Sequence, residues 1–225
     1  MRLAVLSDVH GNAAALEAVL SDVAAFGVDR IWLLGDFVAF GPAPAAVLRR
    51  VLALANARFV QGNTDRYVLS DEPKWASFRW TRRHLSEDDQ DFLRRLPTRQ
   101  VEGDLLGVHA SPRSDEEGIE PGTDDEGLRH MLAGVKQAVV FCGHTHLPLD
   151  RRLDRWRVVN VGSVGLPLDG DRRASYVLVD RDDEPRVEFR RVSYDVGRVI
   201  AELEQSDHPR RDWVVERLET ARRPT

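Results

Sequence analysis

The feature that most constrains this chain is the order of its first sixty residues, where short apolar runs alternate with one-faced amphipathic stretches. Residues 3–6 (Leu-Ala-Val-Leu) fit a buried strand. Residues 13–25 then carry Leu16, Val19, Leu20 and Val23 at i, i+3, i+4 and i+7, which is one face of a helix, with Gly27 just beyond its end. Residues 31–34 read as a second strand, Pro44 opens a helix with Val47, Leu48, Val51 and Leu52 on its apolar face, and residues 58–60 read as a third strand. A βαβαβ order calls for a parallel sheet, because only a crossover lying on the sheet face can join successive parallel strands.

The middle of the chain has a different texture. Residues 65–97 hold Trp75, Trp80 and many charges, with a helix start at Ser86 and Asp89 and a stop at Pro97. They read as a helical cap inserted at about 65–97 into a single domain spanning 1–225. Residues 99–109 form a hairpin around Glu102-Gly103-Asp104. The stretch 112–126 is rich in acid, Gly and Pro and is expected to be a mobile loop. Residues 138–141 and the runs near 158–161, 174–179 and 186–192 are strands, and helices are expected near 195–205 and 210–220.

What falls at the strand ends points to chemistry. Asp8, Asp36, Asn63, His109 and His144 each follow an apolar strand-like run. The carboxyl ends of strands in an α/β sheet are where ligand sites assemble. Taken singly, each residue has an ordinary explanation: Asp8 as a turn former, Asp36 as a loop carboxylate, Asn12 as a helix cap, His109 as a satisfied buried histidine. Five strand ends that each offer a coordinating side chain are not what a core or a solvated surface requires.

Composition narrows the chemistry further. With 32 Lys and Arg against 37 Asp and Glu, the formal charge of -5 leaves no basic footprint, so no stable nucleic-acid complex is expected. Cys142 is the only cysteine, which excludes an intrachain disulfide and a thiolate cluster; a reducing cytoplasm is the expected compartment. The apolar run at the N-terminus is too short for a signal peptide or a membrane span. No Gly-x-Ser-x-Gly elbow or Cys/His pair suggests a protein nucleophile.

In order, Asp8-x-His10, Gly35-Asp36, Gly62-Asn63-x-Asp65, His109 and Gly143-His144-x-His146 resemble the blocks of the calcineurin-like metallophosphoesterases. The run Asn160-Val-Gly-Ser163-Val-Gly165 is similar to a loop of the small bacterial and archaeal phosphodiesterase branch. The resemblance implies an α/β fold, a four-layer α/β/β/α sandwich of two mixed sheets. It also implies two divalent metal ions (Mn, Fe, Ni, Co or Zn). One would be held by Asp8, His10 and His146, the other by Asn63, His109 and His144, with Asp36 bridging. Between such ions a shared water becomes a hydroxide near neutral pH and attacks a phosphoester, so Asp36, Asn63 and His109 take catalytic roles.

The chain departs from that pattern where many members carry a leaving-group histidine: the position is Thr64, too weak an acid for the task. Asn12 and Thr64 are candidates for substrate contact, and Trp75, Trp80, Arg79, Arg82, Arg83 and His84 for lining the cleft. The activity implied is hydrolysis of small phosphodiesters, with phosphomonoesters and nucleotides within range. A phosphoprotein phosphatase, a dinucleoside polyphosphate hydrolase and a non-catalytic binding module remain the alternatives. Oligomeric state stays open.

Overall fold

The computed structural model describes residues 1–73, 75–181 and 185–223. Strands β1 (Arg2–Leu6), β2 (Arg30–Leu33) and β3 (Ala57–Phe59) pair in parallel, joined by helices α1 (Ala13–Ala25) and α2 (Pro44–Leu52). Helices α3 (Asn63–Val68), α4 (Ala76–Arg83) and α5 (Glu87–Arg94) follow, then the hairpin β4 (Arg99–Glu102) and β5 (Leu105–Val108). Helix α6 (Asp125–Met131) leads into β6 (Val139–Cys142), β7 (Leu149–Leu153) and β8 (Trp156–Asn160). Strands β9 (Ala174–Asp180) and β10 (Arg186–Val192) precede α7 (Val196–Glu204) and α8 (Arg211–Thr220).

The strands form two mixed five-stranded sheets, ordered β10-β9-β1-β2-β3 and β4-β5-β6-β8-β7. Period-two alternation explains how they stack. On β1, Leu3 and Val5 join Trp32, Leu34, Val177 and Val179 in a buried layer shared with Leu105, Val139, Phe141 and Val159 of the other sheet. Trp32 and Phe141 meet edge to face across that layer at 6.4 Å. The intervening Ala4 and Leu6 turn outward onto the apolar stripes of α1 and α2. Leu106, Val108, Val140 and Val158 turn outward on the other side, where α6 contributes Leu128. The result is an α/β/β/α sandwich.

Two elements differ from expectation. Strand β7, an edge strand with alternating charges, was not legible, and part of the stretch expected to be a mobile loop is helix α6, capped by Asp124. The rest of that stretch is tied down. Ile119 is fully buried, and Asp115 and Glu116 both pair with Arg66 of α3. Among the described residues, no helix is long and apolar enough to cross a membrane.

Candidate metal centre

Every coordinating residue named from the sequence comes to one edge of the sandwich, beyond the carboxyl ends of β1, β2, β3, β5 and β6. Nε2 of His10 and Nε2 of His146 stand 3.1 Å apart, with Oδ1 of Asp8 3.2 Å from the latter. On the other side, Oδ1 of Asn63 lies 2.9 Å from Nε2 of His109 and 3.0 Å from Nδ1 of His144. Asp36 faces both groups, with Oδ2 3.6 Å from His10 and Oδ1 3.4 Å from His109. The polar atoms of seven side chains thus converge in two sets around a shared carboxylate.

The backbone is bent for this purpose. Asp8, His10, Asp36, His144 and His146 all have positive φ, between 48° and 67°. A plain strand would send alternate side chains to opposite faces; left-handed steps turn both members of each pair inward. A second layer holds these turns. The Asp65 carboxylate accepts from the backbone N–H of Asp36 (2.8 Å), Phe37 (2.9 Å), Gly62 (3.0 Å) and Val38 (3.3 Å). Asn160 donates to the carbonyl of Gly143 at 2.7 Å and to the Thr145 hydroxyl at 2.9 Å, bracing the His144–His146 turn. The Ser163 hydroxyl donates to the Asp8 carbonyl at 2.8 Å. Two glycines permit the close approach. A Cβ at Gly62 would sit 2.1 Å from Oδ1 of Asp36, and one at Gly143 would sit 2.3 Å from Oδ2 of Asp8.

The donor set fits divalent ions. Nδ1 of His109 donates to the Leu34 carbonyl at 2.7 Å, and Nδ1 of His146 to the Leu166 carbonyl at 2.5 Å. In each neutral ring this fixes the proton on Nδ1 and leaves the Nε2 lone pair facing the cluster. Oδ1 of Asp8 is buried with no hydrogen-bond partner, a cost that a cation would remove. Facing ring nitrogens at 3.1 Å likewise favour a shared cation over a second proton. Imidazole, carboxylate and amide oxygen without thiolate suit borderline ions.

Electrostatics divide the histidines. Burial, reinforced by the charge of His146, pushes His10 down to about 3, and burial with the neighbouring His109 pushes His144 down to about 4. For His109 and His146 burial also opposes the charged form, but Asp36 and Asp8 outweigh it and raise both above the ordinary value. Burial and the Asp36 charge push the Asp65 carboxyl up to about 7.

A cleft of about 570 Å³ opens onto the cluster, bordered by Asp36, Asn63, Thr64, His144 and His146 together with Phe40, Tyr67, Trp75, Phe78, Glu116, Arg210 and Trp213. Of the cap residues put forward from the sequence, Trp75 borders it. Trp80 instead points to the α7–α8 turn, donating to Asp207, while His84 stacks on Trp80 at 3.9 Å and donates to its carbonyl. Arg79 and Arg82 bond carbonyls within the cap, those of Pro73 and Ser70, and Arg83 is not among the cleft residues. Asn12 is engaged in the fold: Oδ1 accepts from Ala15 N–H at 3.0 Å and Nδ2 donates to the Gly165 carbonyl at 2.9 Å. It is buried and is not among the residues bordering the cleft, where the expected substrate contact would be made. Thr64 does border the cleft, its N–H donating to Oδ1 of Asp36 at 2.9 Å. Arg210 and Trp213 were missed, because no motif marks them.

Comparison with known proteins agrees with this geometry. Residues 1–184 match the calcineurin-like phosphoesterase superfamily domain. The chain belongs to that superfamily. It resembles the crystal structure of a metallophosphoesterase from Sphaerobacter thermophilus, with a TM-score of 0.86 and 33% identity over 98% of this chain and 100% of that one. An uncharacterized protein of Methanocaldococcus jannaschii is 31% identical, with 96% of each chain covered. The phosphodiesterase YfcE of Escherichia coli is 29% identical over 81% of this chain and 89% of its own. Metal-dependent phosphoester hydrolysis is the activity of this chain.

Proposed function

We propose that the site holds two divalent ions and hydrolyses small phosphodiesters. Asp8, His10 and His146 ligate one ion, Asn63, His109 and His144 the other, and Asp36 bridges them. The observation that carries this reading is the position of Asp36, whose two oxygens face the two sets separately at 3.6 Å and 3.4 Å. Bound there, the ions supply Lewis acidity and a water acidic enough to act as nucleophile near neutral pH. The chain's own residues orient and neutralise. The Leu34 and Leu166 carbonyls hold His109 and His146 in the tautomer that leaves Nε2 free. Asp65 fixes the backbone on either side of Asp36. Two carboxylates against two dications leave the site with an excess of about two positive charges, suited to an anionic phosphate.

Diesters are favoured over alkyl monoesters by what the cleft lacks. Thr64 stands where a leaving-group acid would serve, and its hydroxyl is turned to the Val38 carbonyl at 3.4 Å. The histidines bordering the cleft, His144 and His146, belong to the ligand sets. The test is metal content together with hydrolysis of bis(p-nitrophenyl) phosphate. Protein purified without chelators should carry close to two ions and turn over the diester; Asp36→Ala should lose both ions and the activity. One ion fully retained in that variant would overturn the bridging role.

A further inference from the structure

The residues bordering the cleft include an arginine whose charge no acidic side chain answers among the described residues. Arg210 caps the N-terminus of α8, beyond the segment that matches the family domain. Its guanidinium lies over the Trp213 ring at 4.6 Å and near the Trp75 ring at 5.4 Å. No carboxylate pairs with it, and its side chain makes no hydrogen bond, among the described residues. Of the two acids bordering the cleft, Asp36 faces the histidine cluster and Glu116 is paired with Arg66 at 2.7 Å. An arginine held by aromatic faces keeps its in-plane N–H fork free, and that fork matches a phosphate or carboxylate. Ring contacts also hold the side chain without neutralising it. Phe40, Tyr67 and Phe78 complete a wall of aromatic surface around this cation.

We infer that this wall is a substrate subsite: Arg210 binds a second anionic group, distinct from the scissile phosphate, on a substrate whose flat portion packs along the edges of the aromatic side chains bordering the cleft. The chemical class that carries a planar aromatic group and a second phosphate together is a nucleotide. The wall does not serve a simple diester, which offers Arg210 no second charge. A cation already solvated by such rings gives up little on receiving an anion, so the pairing discriminates strongly between substrates with and without the extra phosphate.

This inference rests on the phosphoesterase reading above, and the experiment separates the two. Metal-loaded protein is given bis(p-nitrophenyl) phosphate and the dinucleotide adenylyl-adenosine with and without a terminal 5′-phosphate. The wild type should favour the phosphorylated dinucleotide by about ten- to a hundred-fold in kcat/KM, carried mainly by KM, as expected for hydrogen bonds to a charged group. In Arg210→Ala that ratio should fall to near one, and Arg210→Lys should keep an intermediate ratio because it preserves the charge without the fork. Independently of turnover, adenosine 3′,5′-bisphosphate should quench tryptophan emission, with affinity falling by a similar factor in Arg210→Ala. A wild-type ratio near one, a ratio unchanged in Arg210→Ala, or absence of quenching would overturn the subsite. Failure to hydrolyse bis(p-nitrophenyl) phosphate would overturn the phosphoesterase reading and leave the quenching titration to judge Arg210.

Discussion

Replacing Asp65 by Asn tests how the site is held, because it keeps the shape while removing acceptor capacity and charge. The carboxylate is fully buried and accepts four backbone N–H groups, two on each oxygen: Phe37 and Val38 on Oδ1, Asp36 and Gly62 on Oδ2. An amide has one oxygen, so in either orientation two donors face an NH₂ group. A buried donor left unsatisfied costs about 1–3 kcal/mol, which makes the loss about 2–6 kcal/mol against a total stability of roughly 5–15 kcal/mol. Urea unfolding at pH 8, above the value of about 7 to which the Asp65 carboxyl is pushed, measures this on the ionised form. Metal content should fall with stability, since the bonded backbone flanks both Asp36 and Asn63. Asp91→Asn is the contrast: its pair with Arg94 is half exposed, and the change should stay within about 0.5 kcal/mol. A loss below about 1 kcal/mol for Asp65→Asn, with unchanged m-value, would refute the bracing role.

Two further outcomes follow from the geometry. Without a proton donor in place of Thr64, single-turnover rates should depend steeply on leaving-group pKa, since general-acid help is worth about 10²–10⁴-fold; a flat dependence with chemistry rate-limiting would mean another group supplies the proton. Metal affinity should rise with pH. His10 and His144 are already neutral near pH 7, pushed down to about 3 and about 4, whereas His109 and His146 are raised and must lose protons before binding an ion. Titration calorimetry in buffers of different ionisation enthalpy should show proton release that grows as pH falls from 8 to 6, with weaker loading at the lower pH. Loading that is equally tight at both would refute the assignment.

The parts of the molecule legible in the sequence were those where one residue type answers one physical demand. Helix α1 was readable because four apolar residues fall on one face, and the convergence of the polar cluster because five strand ends together carry Asp, Asn or His. Helix α6 was hidden by its own start. Asp124, Asp125 and Glu126 suit a cap and first turn but also read as a solvated loop, and Leu128 alone is buried behind them. Strand β7 buries only Leu153 fully and alternates with Asp150 and Arg152, so no apolar run announced it. Arg210 and Trp213 were beyond reach for another reason. Arg210 meets Trp75 across more than a hundred residues, and no spacing encodes a contact of that kind.

The five left-handed ligand positions carry a cost that the rest of the structure must offset. Each non-glycine residue held at positive φ costs about 1–2 kcal/mol, less for Asp, whose short side chain tolerates the region. Ala39 and Phe40, shortly after Asp36 in the chain, share that backbone region at φ 70° and 67°. None of this is repaid by apolar burial at the ligands themselves, because their polar atoms converge on one another. The compensation comes from groups that do no chemistry: Asp65 under the Asp36 turn, Asn160 under the His144–His146 turn, Ser163 behind Asp8. These side chains satisfy backbone donors and acceptors that the bends would otherwise leave buried and unpaired. The geometry of the cluster is therefore set by the fold itself, and on the proposed reading the energy gained on binding ions need not go into bending the chain. On that reading two ions would be held at a fixed separation, as an in-line displacement at phosphorus requires.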